Sequence, residues 1–266
     1  MKQIITKLNN LIKKTIFKVK NKTNNNFKVS NFNKYLITFI ALLFIYLFYL
    51  LTPLLYDKTW VQAHIESKLF NEFKINISTS ADISYRILPT PHFLVKDSKM
   101  LVKDNEEQKK LADIKNLKIF LSQSKFFNKE KMNISKVTIN GANFSLSMDD
   151  FNLLKRSRNE QFSNKKIRIN KSNIFFKDNL TAVISLVKID KAILFFDEKK
   201  LLNFFNFHGE VFNVPFTFDL TNRINPIKNE KIHFSSKFLK LDIFNESTIV
   251  KNKLIKDSHI LQLFDD

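Results

Sequence analysis

From Tyr35 to Tyr56 the chain reads YLITFIALLFIYLFYLLTPLLY, 22 consecutive residues without a charge. No other stretch constrains the fold as much. At a helical rise of about 1.5 Å per residue the run spans roughly 33 Å, which matches a bilayer hydrocarbon core of about 30 Å. It is too long for the apolar segment of a signal peptide, and no small-x-small cleavage site follows it. Lys34 and Tyr35 precede it, and Tyr56, Lys58 and Trp60 close it, the residue types that anchor a span at the membrane–water interface. Pro53 falls in its last turn, where a break is tolerated. The expectation is one uncleaved transmembrane helix over residues 35–56.

Charge orients that helix. Residues 1–34 hold nine lysines and no acidic residue, giving +9, whereas the remaining chain carries a dilute +10. Positive charge stays cytoplasmic, so residues 57–266 are expected across the membrane, in the periplasm if the membrane is a bacterial inner membrane. Within the arm, Ile4, Ile5, Leu8, Leu11, Ile12, Ile16 and Val19 recur at steps of three and four among lysines. That is the pattern of an amphipathic helix lying on an anionic leaflet. A net charge of +19 also raises nucleic acid as a partner. The arm has no helix-turn-helix or arginine-rich pattern, and the topology exports most of the chain, so no nucleic-acid partner is expected.

Beyond the span the period of the apolar residues changes twice. Val61, Ile65, Leu69 and Phe73 recur every four residues, which predicts a helix over 57–73. From Lys74 the period becomes two: Ile75 and Ile77, then Ile83, Tyr85 and Ile87, then Phe93 and Val95, then Met100 and Val102, then Leu117, Ile119 and Leu121. Short alternating runs continue to LKLDIF, interrupted by a weak helix over 122–129 and a better one over 149–159. Asn140-Gly141 between alternating runs predicts a hairpin turn. Pro89 and Pro91 predict a stiff crossover between strands 81–88 and 92–102. The fold class is therefore α+β, mostly β: a transmembrane helix followed by a curved antiparallel sheet with a few short helices. Three parts are expected: a basic arm (1–34), the span (35–56) and an exported β-rich domain (57–266).

The residues offer little chemistry. There is no cysteine, which removes disulfides and thiol catalysis, and two glycines in 266 residues exclude a P-loop and a dinucleotide fingerprint. There is no G-x-S-x-G elbow. His64, His92, His208, His233 and His259 are scattered, without metal-ligand spacing. No catalytic residue, cofactor or metal is expected, and the chain is not read as an enzyme.

The order of elements resembles the N-terminal part of the AsmA family of bacterial envelope proteins. The likeness runs through ISYRILPTPHFLVKDSKMLV, LADIKNLKIFLSQSKFF and ISKVTINGANFSL, and covers roughly residues 36–245. Matching positions are Pro89 and Pro91 at the crossover, Asp97 in the next strand, Leu111, Ala112 and Ile114 in the strand after it, and the hairpin around Gly141. The chain lacks the family's glycine-rich turn after the first helix and is short for it, so the likeness is to a short or N-terminal version. The resemblance implies an inner-membrane protein of envelope biogenesis. It would bind or pass membrane lipid, phospholipid above all, along an apolar sheet face. The alternative is an assembly protein that adds its sheet edge to an envelope protein partner, without lipid transfer.

Overall fold

The computed structural model describes residues 30–79, 82–104, 107–147, 150, 160–178, 182–223, 228–250 and 253–263. The amphipathic arm and, apart from Asp150, the helix expected over 149–159 lie outside the described residues.

The uncharged run is helical. Helix α1 (Asn31–Leu51) leads into a 3-10 turn, Thr52–Leu55, and together these 25 residues are long and apolar enough to cross a membrane. Pro53 cannot donate a backbone hydrogen bond, so the regular helix stops there. The chain divides into two units, Met1–Phe48 and Tyr49–Asp266. The last residues of α1 thus belong with the sheet. Helix α2 (Lys58–Phe73) begins where the Asp57 carboxylate accepts a hydrogen bond from the Trp60 N–H at 2.9 Å. It ends at Lys74, which turns left-handed at φ 57°. Its every-fourth-residue stripe, Val61, Ile65, Leu69 and Phe73, is buried, as the period requires.

Twelve strands follow in one sheet. They are β1 (Asn76–Ser78), β2 (Ile83–Arg86), β3 (His92–Asp104), β4 (Glu107–Leu121), β5 (Ile134–Ser147), β6 (Lys166–Lys177), β7 (Val183–Asp197), β8 (Leu202–Val211), β9 (Val214–Arg223), β10 (Lys228–Ser236), β11 (Leu241–Val250) and β12 (Lys253–Leu263). From β3 to β12 each strand lies beside its successor, while β1 and β2 both pair with β3. The mostly β, antiparallel architecture expected from the alternation is present, with one exception. β5 and β6 run parallel, a pairing that a tight hairpin cannot make. The helix expected over 122–129 is instead a pair of 3-10 turns, Gln123–Lys125 and Lys129–Lys131.

Two further expectations need correction. Asn140-Gly141 does not turn a hairpin. β5 runs straight through it, with Gly141 left-handed at φ 67°. Pro89 and Pro91 do not carry a crossover either; they shape the turn between β2 and β3, which are hydrogen-bonded antiparallel neighbours.

The reason Gly141 sits inside a strand is visible across the sheet. Neighbouring strands each hold one extra residue at the same level. β3 keeps Val95 and then Ser98 on the apolar side, β4 Leu117 and Ile114, β5 Ile139 and Ala142, β6 Ile169 and Ser172, β7 Ala192 and Ile189. Asp97, Gly141 and Lys171 take the extra step with φ of 50°, 67° and 46°. A shift of one residue would normally send every later side chain to the opposite face. Five aligned bulges, one per strand from β3 to β7, cancel that shift and keep the same face apolar on both sides of the line.

Candidate functional site

That apolar face is the dominant surface feature. Cross-strand partners share a face, so the register defines rows. One row runs Ile83, Val95, Leu117, Ile139, Ile169, Ala192, Phe207, Phe218, Phe234, Ile243 and Leu261, one residue per strand from β2 to β12 without a polar interruption. At about 4.8 Å between strands it is roughly 48 Å long. A second row, beyond the bulges, runs Ile77, Met100, Ala112, Phe144, Ile174, Val187, Val211 and Val214.

Helix α2 covers only one end of these rows. Its buried stripe packs with Val95, Leu117, Ile119, Val137 and Ile139 in one core. Along the first row Leu117 is 0% exposed, Phe207 is 7% and Leu261 is 64%. From β7 onward most residues on both faces are half-buried rather than alternating between buried and exposed. A sheet with one covered face alternates; a single-layer sheet does not. Beyond α2 the face is aromatic, and its side chains bury one another: Ile189, Ala192 and Phe207 form a small second core against which Phe205, Phe216 and Phe218 pack. Phe207 and Phe216 stack at 5.3 Å between ring centroids, Phe216 and Phe234 at 5.5 Å, and Phe205 meets Phe218 edge-on at 6.0 Å.

A cavity of about 370 Å³ opens on the apolar face beside the end of α2, lined by Phe73, Met100, Leu111, Leu146, Phe162 and Leu194. Asp150 lies at its margin, where it accepts hydrogen bonds from the Ser147 N–H at 2.7 Å, the Ser147 hydroxyl at 2.8 Å and Lys109 Nζ at 2.9 Å. Burial pushes its carboxyl up, but these donors outweigh burial and the net pKa lies below the usual carboxylate value. A depressed pKa stabilises the fold above the unfolded-state value of about 3.9, and that contribution disappears as pH falls through the lower folded-state value. Asp150→Asn is therefore expected to lower stability by about 1–3 kcal/mol at neutral pH and to have little effect well below pH 3. Urea midpoints of both proteins across pH measure this; a gap independent of pH would contradict it.

The opposite face is polar where the bulges cross it. Lys96, Asn116, Asn140, Asn170 and Lys191 pair in register across five strands, and Asn170 Nδ2 donates to Asn140 Oδ1 at 2.9 Å.

The structure places the residues singled out in the sequence as follows. Lys34 and Tyr35 lie at the exposed start of α1. Lys58 opens α2, and Tyr56 and Trp60 meet edge-on at 5.7 Å. Ala112 and Ile114 are buried on the apolar face, with Leu111 half-buried beside them. Asp97 on β3 and Gly141 on β5 lie on the same line of bulges with β4 between them, whereas Pro89 and Pro91 lie in the turn before β3. Sequence reasoning misses Lys171 and Gly209. The signal for Lys171 is the switch of alternation from odd positions (Phe93, Val95) to even ones (Met100, Val102), which recurs in each strand from β3 to β7; β8 keeps one parity and carries no such signal for Gly209. Among the described residues no group of three or more histidine, aspartate or glutamate side chains could hold a metal ion. His64 contacts the Met132 carbonyl at 3.3 Å and His233 contacts Asp242 at 2.5 Å, on separate elements. No protein-family model matches the chain, and no characterised protein shows significant similarity to it.

Proposed function

We propose that this chain is a membrane-anchored lipid-handling protein of the AsmA type, acting in envelope biogenesis. α1 anchors it in a bacterial inner membrane with the N-terminus cytoplasmic, and the sheet, in the periplasm, receives lipid acyl chains on its apolar face. One observation carries the reading: the apolar row continues for six strands past the helix that covers its beginning. Past the small cluster at Ala192 and Phe207 the row is half-buried at Phe218, Phe234 and Ile243 and exposed at Leu261, and an apolar strip that no helix among the described residues covers marks a binding surface. Acyl chains suit it because the row offers no polar partner along its length, and a lipid headgroup can stay in solvent at the sheet's margin. The charge bias of the arm supports the orientation. The reading names no catalytic group, and no enzymatic step is part of it.

The test is photo-crosslinking of the full chain in cells, with a benzophenone amino acid at Phe218 or at its neighbour Thr217. Phe218 faces the apolar row, whereas Thr217 pairs with His208 and Ser235 on the other face. Mass spectrometry is expected to find phospholipid adducts at 218 and none at 217. Equal adducts at both positions, or none at 218, would remove the lipid reading.

A second reading is favoured by β12. It ends the strand order among the described residues, and Ile260 and Leu261, on its two faces, are both more than half exposed. A partner's strand added at that edge would cover them. Crosslinks from position 260 to one defined protein, with no lipid at 218, would support it.

A further inference from the structure

Where the chain leaves α1, it is tied to one end of the sheet. Tyr85 Oη donates to the Leu50 carbonyl at 2.6 Å. The Tyr49 hydroxyl donates to the Gln123 carbonyl and accepts from the Phe126 N–H at 3.2 Å. Tyr49 stacks on Phe126 at 5.5 Å and lies 4.9 Å from Phe127. Tyr56 donates to the Phe126 carbonyl. The Leu121 N–H donates to the Pro91 carbonyl at 3.1 Å, which draws the Pro89–Pro91 turn to the same end. Lys129 Nζ lies 5.5 Å above the ring of Trp60.

This end is also apolar on its outside. Leu55 is 85% exposed, Leu88 80%, Phe127 77% and Leu54 59%. They come from three separate segments: the 3-10 turn after α1, the Pro-x-Pro turn, and the 122–133 segment. Lys129 and Lys131 are exposed beside them. Apolar tips flanked by lysines, at the point where a span emerges, fit the interfacial layer of a bilayer with anionic lipid.

We propose that this end of the sheet is a second membrane contact. The Pro-x-Pro turn and the 122–133 segment rest on the headgroup layer of the bilayer that α1 crosses, and Leu88 and Phe127 dip into it. The inference rests on α1 spanning a membrane, and it is independent of whether the apolar face carries lipid. The bilayer is the occupant because the patch is continuous with the end of the span: Tyr49 belongs to α1 and touches Phe127 directly. The sheet is thereby held with one end at the membrane. The hairpin tip at Phe212, 76% exposed at the opposite strand ends, then points into the aqueous space.

The chain has no cysteine, so single labels can be placed without background. Leu43→Cys, Leu88→Cys, Phe127→Cys and Phe212→Cys would each be made in the full chain and labelled with an environment-sensitive fluorophore. All four positions are exposed, so folding is expected to survive. Each is reconstituted into nanodiscs of phosphatidylcholine and phosphatidylglycerol, with and without lipid bearing a nitroxide near the headgroup. Labels at 88 and 127 are expected to emit blue-shifted light and to be quenched several-fold more strongly than the label at 212. Emission at 88 and 127 as water-like as at 212, with 43 still apolar, would overturn the proposal while leaving the span intact. Quenching at 212 equal to that at 127 would also overturn it, because the sheet would then lie flat on the bilayer. A water-like label at 43 would overturn the span and the proposal together.

Discussion

Gly209→Ala is expected to destabilise the sheet by about 3 kcal/mol, although the change adds a single methyl group. A Cβ at position 209 would stand 2.2 Å from the Lys188 carbonyl oxygen and 2.7 Å from Cε1 of Phe207. The carbonyl belongs to the main chain of β7 and cannot rotate away as a side chain would. Gly209 faces Ile189, and β7 adds its extra residue between Ile189 and Lys191 whereas β8 does not. The line of bulges ends here, and the two backbones approach closely because one strand has an extra residue and its partner has none. Alanine would have to push β8 off β7, breaking ladder hydrogen bonds at the root of the uncovered aromatic rows. Far-UV circular dichroism through a urea titration of the full chain in mild detergent reads this as a shifted midpoint. A midpoint within error of the parent would show that the strands can separate there at no cost. Gly141 makes the contrasting case. An added Cβ would meet nothing nearer than Lys115 at 3.4 Å, so its glycine serves the left-handed φ rather than a close approach.

Leu117→Ala is expected to cost about 2–5 kcal/mol, and Leu261→Ala, the same change in the same row, less than about 0.5 kcal/mol. Leu117 is fully buried beneath α2, between Val95 and Ile139, so truncation removes packed atoms and leaves a cavity. Leu261 ends the row on β12 with most of its surface in solvent. The emission of Trp60, the only tryptophan, reports unfolding from α2, directly on the core that Leu117 helps form. The pair of variants also probes the uncovered face. If Leu261→Ala were as costly as Leu117→Ala, the far end of the row would be packed against something in the folded state. The single-layer description of β7–β12 would then be wrong.

Much of this architecture is legible in the order of the amino acids. An uncharged run of 22 residues admits few fates, and the helix 31–55 is the one adopted. The four-residue spacing of Val61, Ile65, Leu69 and Phe73 specifies α2 and its buried side, because 3.6 residues per turn put those positions on one stripe. The two-residue alternation locates nearly every strand, since successive side chains on a strand point to opposite faces. The Asn140-Gly141 pair misleads because a left-handed glycine serves a bulge as readily as a hairpin. The same ambiguity hides the role of Asp97 and Lys171, which take left-handed φ without being glycine. Pro89 and Pro91 do mark the end of one strand and the start of another, as proline's missing donor requires. Their place beside the terminus of α1 depends on Tyr49 and Tyr85, and no local pattern links those residues.

The sequence by itself determined most of what is local: where the helix and strand periods run, which side of each is apolar, and where a span can lie. Each is set by a period of two or 3.6 residues, or by a run of apolar side chains, and is complete within a window of a few residues. The tertiary structure decided what depends on agreement between distant segments. The extra residues at Asp97, Gly141 and Lys171 have meaning only because the strands carrying them lie side by side, so that three separate irregularities become part of one line across the sheet. The parallel pairing of β5 and β6 was decided in the same way, by which distant strands lie side by side. Coverage of the apolar face was decided there too. α2 is 16 residues long, about 24 Å at the helical rise, and a row of roughly 48 Å extends beyond any position it can take.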